Sequence, residues 1–252
     1  MKISSRLQQI AERLPEGCRL ADIGSDHALL PVSAVKSGKA SFAVAGEVSD
    51  GPLDAARRQV AEAGEGHRIS VRKGNGLEVI TAGEVDTVTI AGMGGALIVS
   101  ILSAGEDKLV GVKRLVLQPN VAEELVRRWL FEHGWFLSEE VILQEDGKIY
   151  EILTADAHPD AMQLNEKLYS ERTLPGGTVL TKEILLTMGP RLTEEPNEVF
   201  FYKWDSELLK LDRIRQSIAT SKLESSREKE MEINREYVQL EEALKCLQKV
   251  KP

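Results

Sequence analysis

Two kinds of apolar pattern alternate along the first 135 residues. Short, almost continuous apolar runs are typical of buried strands, and runs with a spacing of three to four residues are typical of helices. Each strand-like run is followed by a helical one, and this alternation predicts a parallel sheet covered by helices on both faces. The predicted strands lie near residues 20–23, 42–48, 68–73, 84–95 and 112–120, and the predicted helices near 4–14, 28–35, 50–60, 96–102 and 121–135.

The next stretch changes from alternating strands and helices to a predicted hairpin. Residues 136–157 contain two apolar-polar runs on either side of Glu145-Asp146-Gly147, and Asp-Gly is a strong hairpin-turn signal. An antiparallel hairpin that closes a five-stranded parallel sheet is the usual ending of class I methyltransferase domains. We therefore predict an α/β fold with a Rossmann-like, mostly parallel seven-stranded sheet.

After His158-Pro159 the pattern becomes helical, so we predict one domain over residues 1–158 and a second, helical one over 159–252. Shorter helices are expected near 160–172 and 178–189, separated by Leu-Pro-Gly-Gly. The charged stretch from Lys203 onward predicts an antiparallel, coiled-coil-like helix pair, which can be a plain structural hairpin or a substrate-binding element. Its predicted seam comprises Leu208, Leu211, Ile214 or Arg215, Ile218, Ile233, Tyr237, Leu240, Leu244 and Leu247.

Composition and charge narrow the functional classes. Apolar residues make up 42% of the chain, and no apolar run approaches the length of a membrane span. The N-terminus lacks the apolar block of a signal peptide, and Cys18 and Cys246 form no metal-ligand pair. A cytoplasmic protein without a metal or a membrane partner is therefore expected. The net charge of −8 argues against non-specific nucleic-acid binding, although residues 203–252 carry 11 Lys and Arg against 10 Asp and Glu.

The stretch Leu-Ala-Asp-Ile-Gly-Ser-Asp-His-Ala-Leu-Leu-Pro at 20–31 is the first candidate ligand site. Strand, glycine turn and helix open a nucleotide-binding βαβ unit, and Gly24 supplies the turn. A pyrophosphate-binding turn needs a second glycine where Asp26 stands, and a carboxylate there would repel phosphates. An acidic loop better suits the cationic S-adenosylmethionine, while a turn without any ligand stays an alternative.

Two later positions match a nucleoside. Glu47 ends the second predicted strand, 23 residues after Gly24, where an acidic side chain can accept hydrogen bonds from ribose hydroxyls. A solvated glutamate at a strand end is the alternative. Asn75, between Gly74 and Gly76, can lie over a planar base, although Asn-Gly is also ordinary turn chemistry.

A glycine cluster follows the fourth predicted strand. Gly92, Gly94 and Gly95 permit a ligand to approach the backbone closely, and Met93 offers a flexible apolar wall. Because this cluster lies at the same predicted sheet edge as the earlier motifs, a ligand role is favoured over packing alone.

These motifs together resemble the TrmK family of bacterial tRNA methyltransferases, which methylate N1 of adenine 22 of tRNA. The resemblance covers nearly the whole chain, and its specific part is the pair Asp-Ile-Gly-Ser-Asp-His and Ile-Ala-Gly-Met-Gly-Gly. Its other parts are Gly-Glu-Val at 46–48, the segments 74–80 and 115–120, and Tyr-Glu-Ile at 150–152.

The resemblance implies S-adenosylmethionine as cofactor and tRNA as partner. The sequence departs from the family pattern at Leu29, where a tyrosine is common. A role in stacking on the target base therefore does not transfer to this position. By matching position, the resemblance assigns Asp22, Gly24, Asp26 and His27 to the cofactor loop, Glu47 to the ribose, and Asn75 and Gly76 to the adenine. It places Gly92, Met93 and Gly94 between the cofactor and the target base. Ser25 and Val48, next to these positions, complete the predicted cofactor-binding set.

We expect methyl transfer to N1 of an adenine, with Asp26 as the catalytic residue that orients the base and stabilises the ring charge. For Asp26, a contact to the cationic methionine end of the cofactor and a plain helix N-cap are the alternatives. The alternatives are a methyltransferase for another RNA base or a small molecule, a nicotinamide-dependent dehydrogenase, and a non-catalytic interaction protein. The sequence leaves the oligomeric state open, with a monomer as the expectation.

Overall fold

The computed structural model describes residues 3–219 and 225–250, and the chain divides into two compact units, Met1–Asn165 and Glu166–Pro252. The first unit contains one seven-stranded sheet. Its strands are β1 (Cys18–Ile23), β2 (Ala40–Glu47), β3 (Ile69–Lys73), β4 (Thr87–Met93), β5 (Arg114–Pro119), β6 (Trp135–Glu145) and β7 (Lys148–Ala157).

Helices connect the strands at the positions that the apolar spacing predicts. The sequence-based domain boundary after residue 158 stays a prediction, and helix α6 follows it. The helices are α1 (Ser5–Glu12), α2 (Leu29–Lys36), α3 (Asp50–Ala63), α4 (Gly95–Ala104), α5 (Glu123–Glu132) and α6 (Ala161–Leu168), with short 3₁₀ helices at Gly76–Val79 and Glu106–Leu109.

The strand order is β3-β2-β1-β4-β5-β7-β6, and only β7 runs antiparallel to its neighbours β5 and β6. This order confirms the predicted class I methyltransferase fold. The chain moves outward from β1 through β2 to β3, then returns to place β4 on the other side of β1. In open α/β sheets, ligands bind at such a reversal point, beyond the carboxyl ends of the strands.

Right-handed crossovers on the two sides of the reversal place helices on opposite faces of the sheet. One face is filled by a buried cluster that joins α1, α2 and α3 to alternate residues of the strands, with Ile10, Leu20 and Val32 fully buried. Helices α4 and α5 pack on each other and on β4, β5 and β6. The sheet is therefore covered on both faces, as its continuous apolar strands predict.

The hairpin β6–β7 has the predicted turn. Asp146 and Gly147 have φ angles of +49° and +74°, and Glu145 pairs with Lys148 across the turn. Two consecutive positive φ angles identify a type I′ turn, whose twist matches that of the flanking strands.

The second unit contains α7 (Lys182–Met188), α8 (Glu198–Ala219), α9 (Ser225–Val250) and a two-stranded hairpin of β8 (Arg172–Thr173) and β9 (Val179–Leu180). The helices predicted over 160–172 and 178–189 are thus wrong at these two strands, which are too short to show a period. Thr181 caps α7 by accepting the Ile184 amide at 3.4 Å, so the helix begins after the hairpin.

Helices α8 and α9 pack on each other. Only five residues separate the end of α8 from the start of α9. Even fully extended, five residues cannot carry the chain back along a helix of about 30 Å or more, so a parallel arrangement is excluded. Of the two alternatives at one seam position, Arg215 lies on the seam, with its guanidinium 4.6 Å from the Tyr237 ring centre, whereas Ile214 is exposed. Buried seam residues include Leu208, Leu240, Leu244 and Leu247.

Among residues 3–219 and 225–250, no helix has both the length and the apolar character that crossing a membrane requires.

Candidate active site at the carboxyl edge of the sheet

The turn after β1 is tied to the end of β2. Gly24 has a φ of +69°, and the amides of Gly24 and Ser25 both donate to the Gly46 carbonyl, at 3.0 and 3.2 Å. Glycine adopts this left-handed conformation without steric cost. The predicted glycine turn is therefore present, and it crosses from β1 toward the strand that carries Glu47.

The next non-glycine residues after Ser25 also have left-handed backbone conformations. Asp26, His27 and Ala28 have φ angles of +39°, +68° and +55°. Such angles cost a non-glycine residue free energy and cluster at functional sites. Helix α2 begins at Leu29 with Ala28 as its N-cap residue, so the alternative that Asp26 is only a helix N-cap is wrong.

The Asp26 carboxylate is open to solvent. Its side chain is 83% exposed, and Nε2 of His27 lies 3.5 Å from Oδ1. The backbone amide of Asp26 donates to Oε1 of Glu47 at 2.5 Å. The residue is thus fixed through its backbone while its carboxylate stays available to a ligand.

Asp22 lies below this loop and connects three segments. Its carboxylate accepts the hydroxyl of Ser25 and the hydroxyl of Thr89, each at 2.6 Å. Burial raises the pKa of Asp22 to about 6, and the nearby Glu47 carboxylate acts in the same direction, whereas the two hydroxyl donors oppose the shift. The buried acid therefore links β1, its turn and β4.

Glu47, at the end of β2, is 6% exposed. Burial raises its pKa, and the Asp26 amide partly offsets this effect. No described residue donates a hydrogen bond to its second oxygen, Oε2, which leaves that atom able to accept a ligand hydroxyl. The next residue, Val48, is an exposed apolar side chain, 60% accessible to solvent.

The segment after β3 continues the same edge, because the Gly74 amide donates to the Glu47 carbonyl at 3.0 Å. Asn75 is exposed, and its amide is held by Oε2 of Glu78 at 3.1 Å. Gly76 has a φ of +55°, and a Cβ atom there would lie 2.9 Å from Ile101 Cγ2. A larger residue at Gly76 would therefore strain the turn and crowd α4.

The turn after β4 meets the turn after β1. A Cβ atom at Gly24 would lie 2.1 Å from Cε of Met93, so the methionine methyl group occupies the space that the glycine leaves. Gly94 is the N-cap residue of α4. Asp22, Gly24, Met93 and Glu47 are thus joined in one region, at the strand-order reversal between β1 and β4.

Two amide side chains shape the Gly92 turn, and neither was among the candidates from the sequence. Oε1 of Gln118 accepts the Gly92 amide at 3.1 Å, and Nδ2 of Asn120 donates to the Gly92 carbonyl at 2.8 Å. Gln118 is fully buried. A polar Gln-Pro-Asn at the end of an apolar strand was the available signal.

Thr89, Arg6 and Tyr150 also lie at this edge, outside the set of sequence-based candidates. Nη1 of Arg6 donates to Oε1 of Gln118 at 2.7 Å. Thr89 pairs with Asp22 in the sheet register. Leu29, where the family commonly has tyrosine, is half-buried at the start of α2.

Chemically, this edge offers acidic groups, close backbone turns and a flexible apolar wall. Within the described residues, no cluster of three or more histidine, cysteine or acidic side chains is arranged to hold a metal ion. The arrangement suits a cationic or nucleoside ligand with free hydroxyls.

Comparison with known proteins gives the site its family. Residues 20–243 match the sequence model of TrmK, tRNA (adenine(22)-N(1))-methyltransferase. The chain belongs to this family. The TrmK match begins within β1, includes β2 to β7 and covers most of the second unit.

Among TrmK relatives, the tRNA (adenine(22)-N(1))-methyltransferase of Bacillus subtilis is 48% identical over 219 residues, or 87% of each chain. A crystal structure of the B. subtilis m1A22 tRNA methyltransferase TrmK superposes with a TM-score of 0.87 at 45% identity, covering 96% of this chain and 99% of the other. A Streptococcus pneumoniae structure in complex with S-adenosyl-L-methionine has a TM-score of 0.79 at 36% identity, covering 96% and 100%.

Proposed function

We propose that this chain transfers the methyl group of S-adenosylmethionine to N1 of adenine 22 in tRNA. Family membership supports the reaction. The observation that carries the proposal within the structure is the Glu47 carboxylate. One of its oxygens fastens the loop after β1, and the other is left for a ligand at the strand-order reversal.

The residues at this edge fit S-adenosylmethionine. A carboxylate at the end of β2 can accept the two ribose hydroxyls, as in other Rossmann-like nucleoside sites. Asp26 stands where a pyrophosphate would need close backbone approach, and its charge favours a cation instead. These features disfavour the dehydrogenase alternative, because a nicotinamide dinucleotide carries a pyrophosphate.

We assign the cofactor contacts as the sequence suggests. Glu47 and Val48 contact the ribose side, and Asn75 and Gly76 the adenine of the cofactor. Asp22 acts by shaping the loop, because both of its oxygens accept hydroxyl groups of the protein. The remaining proposed cofactor residues are Gly24, Ser25, Asp26, His27, Gly92, Met93 and Gly94.

The bound cofactor supplies a methyl group on a positively charged sulfur. N1-methyladenine carries a positive ring charge, so a carboxylate beside the ring stabilises the transition state. We assign this role to Asp26, whose carboxylate is exposed and whose backbone is fixed by Glu47. Met93 and Gly24 limit the space around the reacting atoms and favour an in-line approach.

The tRNA is the proposed partner of this site. A monomer that acts in the cytoplasm, where tRNA is modified, is the proposed state of the protein. Methylation of a small molecule or of another RNA base, and non-catalytic binding, are outcomes of the test below.

Nucleoside mass mapping tests the function directly. tRNA is incubated with the protein and S-adenosylmethionine, digested, and mapped for methylated nucleosides. We expect one N1-methyladenosine at position 22 and none in a matched tRNA with guanine at that position. A methyl group on a different nucleoside, or none on tRNA, contradicts the proposal. Calorimetry with S-adenosylmethionine and with NAD separates a methyltransferase from a dehydrogenase.

A further inference from the structure

Arg6 reaches the carboxyl edge of the sheet from helix α1. Its Nη1 atom donates to Oε1 of Gln118 at 2.7 Å, and its guanidinium carbon lies 5.3 Å from the centre of the Tyr150 ring. The same Nη1 atom lies 3.6 Å from the position that a Cβ atom at Gly92 would occupy. The guanidinium therefore lies directly against the turn after β4.

The start of α1 is held in place on the sheet unit. The Glu145 carboxylate accepts the backbone amides of Ser5 and Arg6, at 2.5 and 3.2 Å, and these contacts lower the pKa of Glu145. The Ser4 hydroxyl accepts the Leu7 amide at 3.2 Å. Because the backbone and the guanidinium are both fixed, Arg6 loses little further conformational freedom when a ligand binds.

Arg6 uses only part of its hydrogen-bonding capacity within the protein. A guanidinium has five N–H donors, and among the described residues Nε and Nη2 of Arg6 have no hydrogen-bond acceptor. The edge formed by two guanidinium nitrogens matches two oxygens of a phosphate. The pre-oriented side chain thus has the geometry of a phosphate anchor.

The charges around the site explain why an RNA would need this cation. Asp22, Asp26 and Glu47 are acidic and lie at the same edge. A polyanion that brings its base to this edge is repelled by these carboxylates unless a nearby cation binds its backbone. Lys73, at the end of β3, is another cation at this edge, but its ammonium group is already paired with Asp50 at 2.5 Å.

We propose that Arg6, held by Gln118 and Tyr150, binds a backbone phosphate of the tRNA beside the target adenine. This inference rests on the proposed tRNA methylation and adds a substrate-binding residue to it. The contact ties the RNA strand to the turn that carries Gly92 and Met93, and so positions the base at the edge where the methyl group is transferred.

The test compares Arg6→Gln with Arg19→Gln. Arg19 is a matched control, because it also stacks on an aromatic ring, Phe42 at 5.4 Å, and donates to the Glu84 carbonyl at 2.6 Å. It lies at the start of β1, the opposite edge of the sheet. Binding of tRNA is measured as a function of salt, together with calorimetric affinity for S-adenosylmethionine.

Arg6→Gln is expected to raise the tRNA Kd about tenfold and to reduce the slope of log K against log salt by about one, as loss of one phosphate contact requires. Cofactor affinity should be unchanged. Arg19→Gln should change neither quantity. Arg6→Lys keeps the charge and should preserve the salt slope while raising the Kd by about threefold, since it loses the fork geometry.

Two results overturn the inference. One is a tRNA Kd and salt slope for Arg6→Gln equal to those of the wild type. The other is a loss of cofactor affinity as large as the loss of tRNA affinity, which would make Arg6 only a support for Gln118. Wild-type methylation of adenine 22 is scored separately, so an active wild type with an unaffected Arg6→Gln refutes this inference and leaves the function intact.

Discussion

The carboxyl edge of the sheet and the helix pair α8–α9 use charged side chains in opposite ways. At the edge, Asp22 and Glu47 are 4% and 6% exposed, and backbone amides or hydroxyls from other segments hold them. On the helix pair, Lys210 is 62% exposed and pairs with Glu207 one turn away on its own helix. Lys245 is likewise 61% exposed and pairs with Glu241 on its own helix.

The difference shows where a charge determines structure and where it does not. A buried carboxylate must be matched by donors at fixed positions, because an unmatched one is costly. An exposed pair on one helix is screened by water and adds little free energy. Changes at the edge should therefore have large and specific effects, and changes of exposed helix pairs small ones.

The largest effect is expected for Asp26→Asn. This variant keeps the size of the side chain and removes the charge that we assign to the transition state. Turnover should fall about 100-fold with little change in cofactor affinity. Asp54→Asn, at an exposed acid on α3 that pairs with Arg57, is the control and should keep full turnover. If cofactor binding weakens and turnover recovers at saturation, Asp26 is a cofactor residue instead.

Glu47→Ala should weaken cofactor affinity by about 1.5–3 kcal/mol, the range for a charge-assisted hydrogen bond. The Asp26 amide also loses its acceptor, so the loop after β1 should be less well ordered. Calorimetry measures the affinity, and Glu62→Ala on the exposed side of α3 is the control. Unaltered affinity in a folded Glu47→Ala protein would exclude the ribose assignment.

Asp22→Asn should change how stability depends on pH. The folded-state pKa of Asp22 is about 6 against an ordinary value of 3.8, so the folded protein binds this proton more tightly than the unfolded chain. Wild-type stability should therefore gain about 1.3 kcal/mol from this group as the pH falls from 7 to 5. The variant lacks this gain.

Urea unfolding of both proteins at pH 7 and pH 5 measures the Asp22 effect. The difference in unfolding free energy between wild type and variant should move by about 1 kcal/mol in favour of the wild type at pH 5. Parallel pH profiles would show that Asp22 does not titrate in this range.

The smallest effect is expected for Lys210→Ala on α8. Because the pair with Glu207 is exposed, the free energy of unfolding should change by less than about 0.5 kcal/mol. Leu208→Ala, two residues away and buried on the seam, should cost about 2 kcal/mol or more. A Lys210→Ala cost as large as that of Leu208→Ala would remove the contrast between the two regions.

Most of the secondary structure could be predicted from local sequence pattern. The strands, most of the helices and the Asp146-Gly147 turn follow from apolar spacing and turn chemistry, which depend on neighbouring residues only. The two-residue strands β8 and β9 were not predicted, because so short a run has no measurable period. The choice between Ile214 and Arg215 on the seam also depended on the partner helix.

Within the site, local pattern is sufficient to identify the strand ends that carry chemistry, because Gly24, Glu47 and Gly92 each follow or end an apolar run. How these residues are supported depends on contacts between distant parts of the chain. Asp22 meets Thr89 across 67 residues, and Arg6 meets Gln118 across 112. Such contacts depend on strand register and on helix packing, which no local pattern specifies. The left-handed path of Asp26, His27 and Ala28 has the same origin, because surrounding contacts and not local propensity impose it.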